Sequence, residues 1–117
     1  MSSNYIPTKG DIVWLDFSSP KGHEQSGRRP ALCISPKEYN QKVGLAIFCP
    51  ITSNKKGYPF EVLIPPSIGI EGVILSDHVK NLDWKARNAE FITSLPPSGL
   101  KEVIGKLQSL LRLSGPN

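Results

Sequence analysis

Short apolar runs, each cut off by proline or glycine, follow one another along most of this chain and leave it little choice of architecture. IVWLDF (Ile12 to Phe17) alternates, with Val13, Leu15 and Phe17 on one face and Ile12, Trp14 and Asp16 on the other, which is the period of a strand. ALCIS (Ala31 to Ser35) and GLAIFCPI (Gly44 to Ile51) are apolar on both faces, as central strands are. Between them PKEYNQK predicts a single helical turn begun by Pro36. FEVLIP (Phe60 to Pro65), GVILSDHV (Gly72 to Val79) and AEFIT (Ala89 to Thr93) read as three more strands. Six short strands separated by Pro and Gly turns predict a mainly β protein, a small antiparallel barrel rather than alternating strand-helix units.

The tail has a different period. Leu100, Val103, Ile104, Leu107, Leu110 and Leu111 fall on one stripe at 3.6-residue spacing, with Lys101, Glu102, Lys106 and Arg112 off it. This predicts an amphipathic C-terminal helix with Ser98 as N-cap, closed by Gly115 and Pro116. Its apolar face must dock on the barrel or on a partner.

At 117 residues the chain has the size of one domain, expected to span 1–117. Fourteen Lys and Arg against ten Asp and Glu leave a net charge of +4, a modest excess that favours polyanions without demanding them. The N-terminus MSSNYIPTKGD lacks a basic region leading into an apolar one, and no apolar run is long enough to cross a bilayer. A cytoplasmic protein without membrane association is expected. Cys33 and Cys49 lie inside apolar runs with no CxxC spacing and no clustered histidines, which gives no support to zinc. They are expected to be buried free thiols, even if paired strands set them face to face.

Charge is used unusually at one place. HEQSGRRPALCIS (His23 to Ser35) runs from a polar loop through the arginine pair Arg28 and Arg29 into a buried strand. Arginine offers a planar fork of donors that fits phosphate or carboxylate, and Pro30 limits the freedom of the backbone beside it. The ordinary alternative is a pair that is solvated or salt-bridged to an acid such as Glu24. Thr52, after CPI (Cys49 to Ile51), ends a central strand. If strands 31–35 and 44–51 pair antiparallel, Arg29 and Thr52 become neighbours, and a guanidinium meeting a hydroxyl at a barrel rim suits a phosphate. Read alone, Thr52 would be a turn residue.

Taken in order, GDIVWLDF (Gly10 to Phe17), EQSGRRPALCIS (Glu24 to Ser35), CPIT (Cys49 to Thr52), KGYPFEV (Lys56 to Val62) and GVILSDHVKNLDWKAR (Gly72 to Arg87) resemble the MazF branch of the MazF, PemK and Kid toxins. The resemblance runs from about Tyr5 into the C-terminal helix. It implies the toxin of a type II toxin-antitoxin system, a homodimeric Src-homology-3-like barrel, and a sequence-specific endoribonuclease needing no metal or other cofactor. It puts the catalytic arginine on Arg29, the catalytic threonine on Thr52, and a substrate-proximal carboxylate on Glu24. It further implies a MazE-like antitoxin, expected to lay an acidic, partly disordered tail across the Arg29 cleft.

In such ribonucleases the RNA 2′-hydroxyl attacks its own adjacent phosphate. Arginine is a poor general base at neutral pH, so Arg29 is read as an electrostatic stabiliser and the base is left open. Single-stranded RNA asks for cations along a groove and flat groups for unstacked bases. Phe17, Lys21, Arg28, Lys55, Lys56, Lys80 and Arg87 are the candidates, with Lys85 beside them, and for Phe17 the alternative is core packing on the face of Val13 and Leu15. His23 is read as a surface residue, His78 as packed or paired inside a strand, and Trp14 and Trp84 as packing or dimer-contact aromatics.

Two other functions are open to such a chain. A gyrase poison of the CcdB type shares the expected fold, but depends on a tryptophan near the end of its last helix, where this tail reads LQSLLRLSGPN. A non-catalytic RNA-binding barrel would use Arg29 and Thr52 only to hold phosphate.

Overall fold

The computed structural model describes residues 4–17 and 27–113. Among these, β1 (Asp11–Phe17), β2 (Gly27–Cys33), α1 (Lys37–Val43), β3 (Ala46–Thr52), β4 (Glu61–Leu63), β5 (Val73–Leu75), β6 (Lys80–Leu82), β7 (Glu90–Ser94) and α2 (Pro97–Leu111) follow in order, with a 3₁₀ turn at Pro66–Ile68. The strands form one antiparallel sheet in the order β4-β5-β3-β2-β1-β7, and β6 pairs with β3 off that path. The expected class, a small antiparallel β architecture with a C-terminal helix, is what the chain adopts. The terminal strands β4 and β7 are not paired with each other among the described residues, so the order is open rather than closed into a ring.

Register explains the core. Ile12 pairs with Leu32, and Leu32 with Cys49, so these three share one face with Ile51, Ile74 and Val103. Val13 pairs with Ala31 and Cys33 with Phe48, which places a second cluster with Leu15 and Phe17 on the opposite face. Cys33 and Cys49 therefore leave opposite faces of the sheet and do not confront one another, a correction to one arrangement the sequence allows. Both are free and buried.

Three boundaries differ from expectation for identifiable reasons. β2 begins at Gly27, so Arg28 and Arg29 lie within the strand and not at its mouth. The run Gly72 to Val79 gives only β5, which ends before Ser76 and Asp77, residues that favour turns, and the next strand, β6, begins beyond the run at Lys80. His78 consequently sits in a turn, its N–H donating to the Leu75 carbonyl at 3.1 Å, not inside a strand. Where a single turn begun by Pro36 is expected, the seven residues of Lys37–Val43 form a helix with Pro36 as N-cap, closed by Gly44 in the left-handed region at φ 82°.

Helix α2 starts at Pro97 with Pro96 as N-cap and no side-chain capping bond, so Ser98 is not the cap. Gly115 and Pro116, expected to close it, lie outside the described residues. Val103 is fully buried against the first cluster and Leu100 packs beside it. The stripe does not stay buried to its end: Leu110 and Leu111 are exposed. No helix among the described residues is long and apolar enough to cross a membrane.

Candidate active site

Strand alternation sends the two arginines to opposite faces of β2. Arg28 lies opposite Asp16 in the β1–β2 register, and its Nη1 donates to Asp16 Oδ1 at 2.8 Å. Its Nη2 donates to the Asn88 carbonyl at 2.9 Å and to Glu90 Oε1 at 3.0 Å. Asn88 Nδ2 completes the group by donating to Asp16 Oδ2 at 2.8 Å. Hydrogen bonds from Asn88 and then Arg28 hold the Asp16 carboxyl below the usual carboxylate range. Arg28 thus clamps β1, β2 and the approach to β7. Its acids are Asp16 and Glu90.

Arg29 lies opposite Leu15 on the face of the second cluster. The β2–β3 pairing begins at Ala31 and Pro50, and Arg29 and Thr52, each two residues from that pair, fall on its face of the sheet. Thr52 pairs in turn with Val73 across β3 and β5, and Leu75 pairs with Glu61 across β5 and β4. Side chains two apart on a strand share a face, so Arg29, Thr52, Leu75 and Glu61 stand on one side of the sheet. The antiparallel pairing expected of the two central strands is what joins the first two.

A cavity of about 390 Å³ opens on that side, and Thr52, Lys56, Tyr58, Glu61, Asp77 and His78 are among its lining residues. Thr52 Oγ1 accepts the Asn54 N–H at 3.1 Å, so Thr52 also closes a turn. Being the acceptor there, the hydroxyl keeps its own hydrogen for donation. Tyr58 Oη donates to Asp77 Oδ1 at 2.7 Å, and His78 Nε2 stands 3.9 Å from the same oxygen. Burial, then the hydrogen bond to Asp77, pushes the Tyr58 phenol up to about 12. Tyr58 stays protonated at neutral pH and remains the donor to Asp77. A hydroxyl, an ammonium and a carboxylate with a fixed donor line one space, a set that can hold a phosphodiester and move a proton at it.

The other expected site residues fall in different places. Glu24, Lys21 and His23 lie outside the described residues. Phe17 is only 8% exposed and packs with Val13 and Leu15, so its ring is a core group with no face open to a base, and the stacking expected of it is corrected. Lys55 and Lys56 are exposed on the segment after Thr52. Lys80 is half-buried on β6, where it pairs with Phe48. Arg87 Nη1 donates to the Asp16 carbonyl at 3.2 Å, which ties it to β1 beside the Arg28 cluster. Trp84 Nε1 donates to the Asn40 carbonyl at 3.0 Å, a packing role, while Trp14 is 37% exposed.

Tyr58, Glu61 and Asp77 were not singled out by sequence. The available signal was KGYPFEV beside SDH: a Tyr-Pro and a Ser-Asp, both turn formers, at the ends of strands that pair.

Residues 8–111 match the family described as PemK-like, MazF-like toxin of type II toxin-antitoxin system. The endoribonuclease toxin MazF of Escherichia coli K12 is 41% identical over 111 residues, which cover 95% of this chain and 99% of that protein. The crystal structure of MazF from Deinococcus radiodurans superposes with a TM-score of 0.88 at 53% identity, covering 92% of this chain and 98% of that one. A MazE-MazF crystal structure from the same organism gives a TM-score of 0.86 at 52% identity, covering 95% and 100%.

Proposed function

Since this chain belongs to the PemK-like, MazF-like toxins of type II toxin-antitoxin systems, we propose that it is an endoribonuclease that cuts single-stranded RNA at particular sequences and so arrests translation and growth. The observation that supports this reading is strand alternation, which puts Arg29 and Thr52 on one face of the sheet, with Thr52 lining a cavity together with Lys56, Tyr58 and Asp77.

The reaction that suits these groups needs no external nucleophile. The 2′-oxygen of one nucleotide bonds to the adjacent phosphorus, the bond from phosphorus to the 5′-oxygen breaks, and the products carry a 2′,3′-cyclic phosphate and a 5′-hydroxyl. The 2′-hydroxyl gives up a proton and the leaving 5′-oxygen takes one. Arg29 offers two parallel donors to the phosphoryl oxygens as negative charge grows, and the Thr52 hydroxyl adds a third. Glu24, through the family resemblance, and Asp77, which lines the cavity, are the carboxylates we assign to take the 2′-hydroxyl proton. Lys21, Lys55, Lys56 and Lys80 supply phosphate contacts along the strand. Arg28 and Arg87 contribute positive potential from the clamp at Asp16 and not a free fork.

The same reading places the protein in the cytoplasm as a homodimer, with a MazE-like antitoxin whose acidic tail covers the basic face. Trp14, Phe91, Leu110 and Leu111 are large apolar side chains exposed on the single chain, the kind of surface that dimer contacts cover.

The test is cleavage of a long mixed-sequence RNA with EDTA present, the cut sites mapped through their 5′-hydroxyl ends. Arg29→Ala and Thr52→Ala are each expected to slow cutting by about a hundred to a thousandfold with the circular dichroism spectrum unchanged. Binding without cutting by the unaltered protein would instead establish the non-catalytic barrel. Cutting only with a divalent metal, or at full rate by both variants, would overturn the mechanism.

A further inference from the structure

The cavity wall from Thr52 to Tyr58 runs from the end of β3 to the approach of β4. Its turn at Lys56 and Gly57 is held by one carboxylate: the two backbone N–H groups donate to Glu61 Oε2 and Oε1, each at 2.9 Å. The Glu61 N–H returns to the Tyr58 carbonyl at 3.1 Å. Glu61, however, opens β4, a three-residue strand at the edge of the sheet, and an edge strand so short is easily frayed.

What secures it comes from the opposite side of the sheet. Helix α2 packs through Val103 on the first cluster, and one turn further on Lys106 reaches β4. Lys106 Nζ donates to the Pro59 carbonyl at 2.6 Å and to the Glu61 carbonyl at 3.1 Å, and lies 3.5 Å from Glu102 Oε2 on its own helix. Charge-assisted bonds to two carbonyls are stronger than neutral ones, and the Lys106 side chain is only 31% exposed.

We propose that Lys106 is a positioning residue for the active site, fixing Glu61 so that the Glu61 carboxylate can hold the Thr52–Tyr58 wall in its reactive arrangement. Lys106 acts through the backbone carbonyls of Pro59 and Glu61 and not as a catalytic group. The catalytic consequence rests on the ribonuclease reading above; the mechanical one does not.

Lys106→Met keeps the apolar stem and the helix and removes only the ammonium, whereas Lys106→Arg keeps the charge. In Lys106→Met, amide hydrogen exchange at Lys56 and Gly57 is expected to quicken about tenfold or more while β1, β2 and β3 keep their rates. The kcat for RNA cleavage should fall about tenfold to a hundredfold with KM changed much less, because the wall is displaced and not the binding surface. Lys106→Arg should restore both. Glu61→Gln approaches the same relay from its other end, and the double variant should be no worse than the poorer single one.

Unchanged exchange at residues 56 and 57 in Lys106→Met would overturn the proposal, as would faster exchange with undiminished kcat, or strictly additive losses in the double variant. Failure of the unaltered protein to cut RNA would instead defeat the ribonuclease reading, and exchange would still decide whether Lys106 holds the wall. Should Lys106→Met not fold, Lys106→Gln decides by the same two measurements.

Discussion

Arg28 and Asp16 face each other directly across β1 and β2 and meet at 2.8 Å, so the arginine beside the proposed catalytic one is committed to holding the sheet together. The Asp16 carboxyl is lowered by its bonds to Asn88 and Arg28, so its contribution to stability is present above the ordinary carboxylate value near 4 and lost as pH falls through the lowered one. Arg28→Gln should therefore be less stable than the parent in urea at pH 7, and the gap should close as the pH falls below the ordinary carboxylate range. A gap of equal size at both pH values would show that the ion pair is not its source. The effect should be small, since both side chains are well over a third exposed or close to it.

Gly72 has φ +130°, and a Cβ placed there would collide with the Thr52 carbonyl oxygen. Gly72→Ala must shift the strand end that carries Thr52. A loss of about 1–3 kcal/mol in unfolding free energy, seen as a lower urea midpoint, is expected, accompanied by reduced RNA cleavage, because strained backbone and overpacking both act at the same point. Stability and cleavage measured on the same preparation check it; an unchanged urea midpoint would contradict the close approach.

The Tyr58 phenol is raised to about 12, burial first and Asp77 second. A raised pKa means that its contribution to stability is whole below the phenol's ordinary value near 10 and is lost as pH rises toward 12. Tyr58→Phe should delete a phenolate transition near pH 12 from the ultraviolet titration, and should flatten the alkaline fall in stability. Retention of that transition would assign it to another tyrosine.

Burial pushes the Cys49 thiol up to about 12 and raises that of Cys33, and the two point to opposite faces of the sheet. The folded protein should resist maleimide at pH 7 and take two labels in urea, read by intact mass. Rapid labelling of either thiol under native conditions would contradict the packing.

Much of this architecture could be read from period alone. β1 and β3 were placed within one or two residues because alternation or continuous apolarity marks a strand whatever surrounds it. The start of β2 could not be found that way: Gly27, Arg28 and Arg29 carry no hydrophobic signal, and their strand character comes from pairing with Phe17, Asp16 and Leu15. Lys80–Leu82 is a strand for the same reason, through Phe48 and its neighbours. The antiparallel pairing of β2 with β3, from which the expected Arg29–Thr52 relation is argued, was legible in two apolar runs joined by a short helical segment. The Tyr58–Asp77 bond, the Glu61 nest and the Lys106 contacts join residues from different elements, which no local pattern announces.

The pairing of β1 with β7 sets Asp11 opposite Ser94, so the earliest strand in the chain waits for the last one. Contacts so distant in sequence are made late and slowly in folding. During synthesis, β1 would emerge from the ribosome long before the strand that covers its outer edge, and β4 before the helix that pins it. A truncated or half-made polypeptide therefore carries an open strand edge and an unbraced cavity. Nearly the whole length must be translated before the protein could turn on the translation that made it.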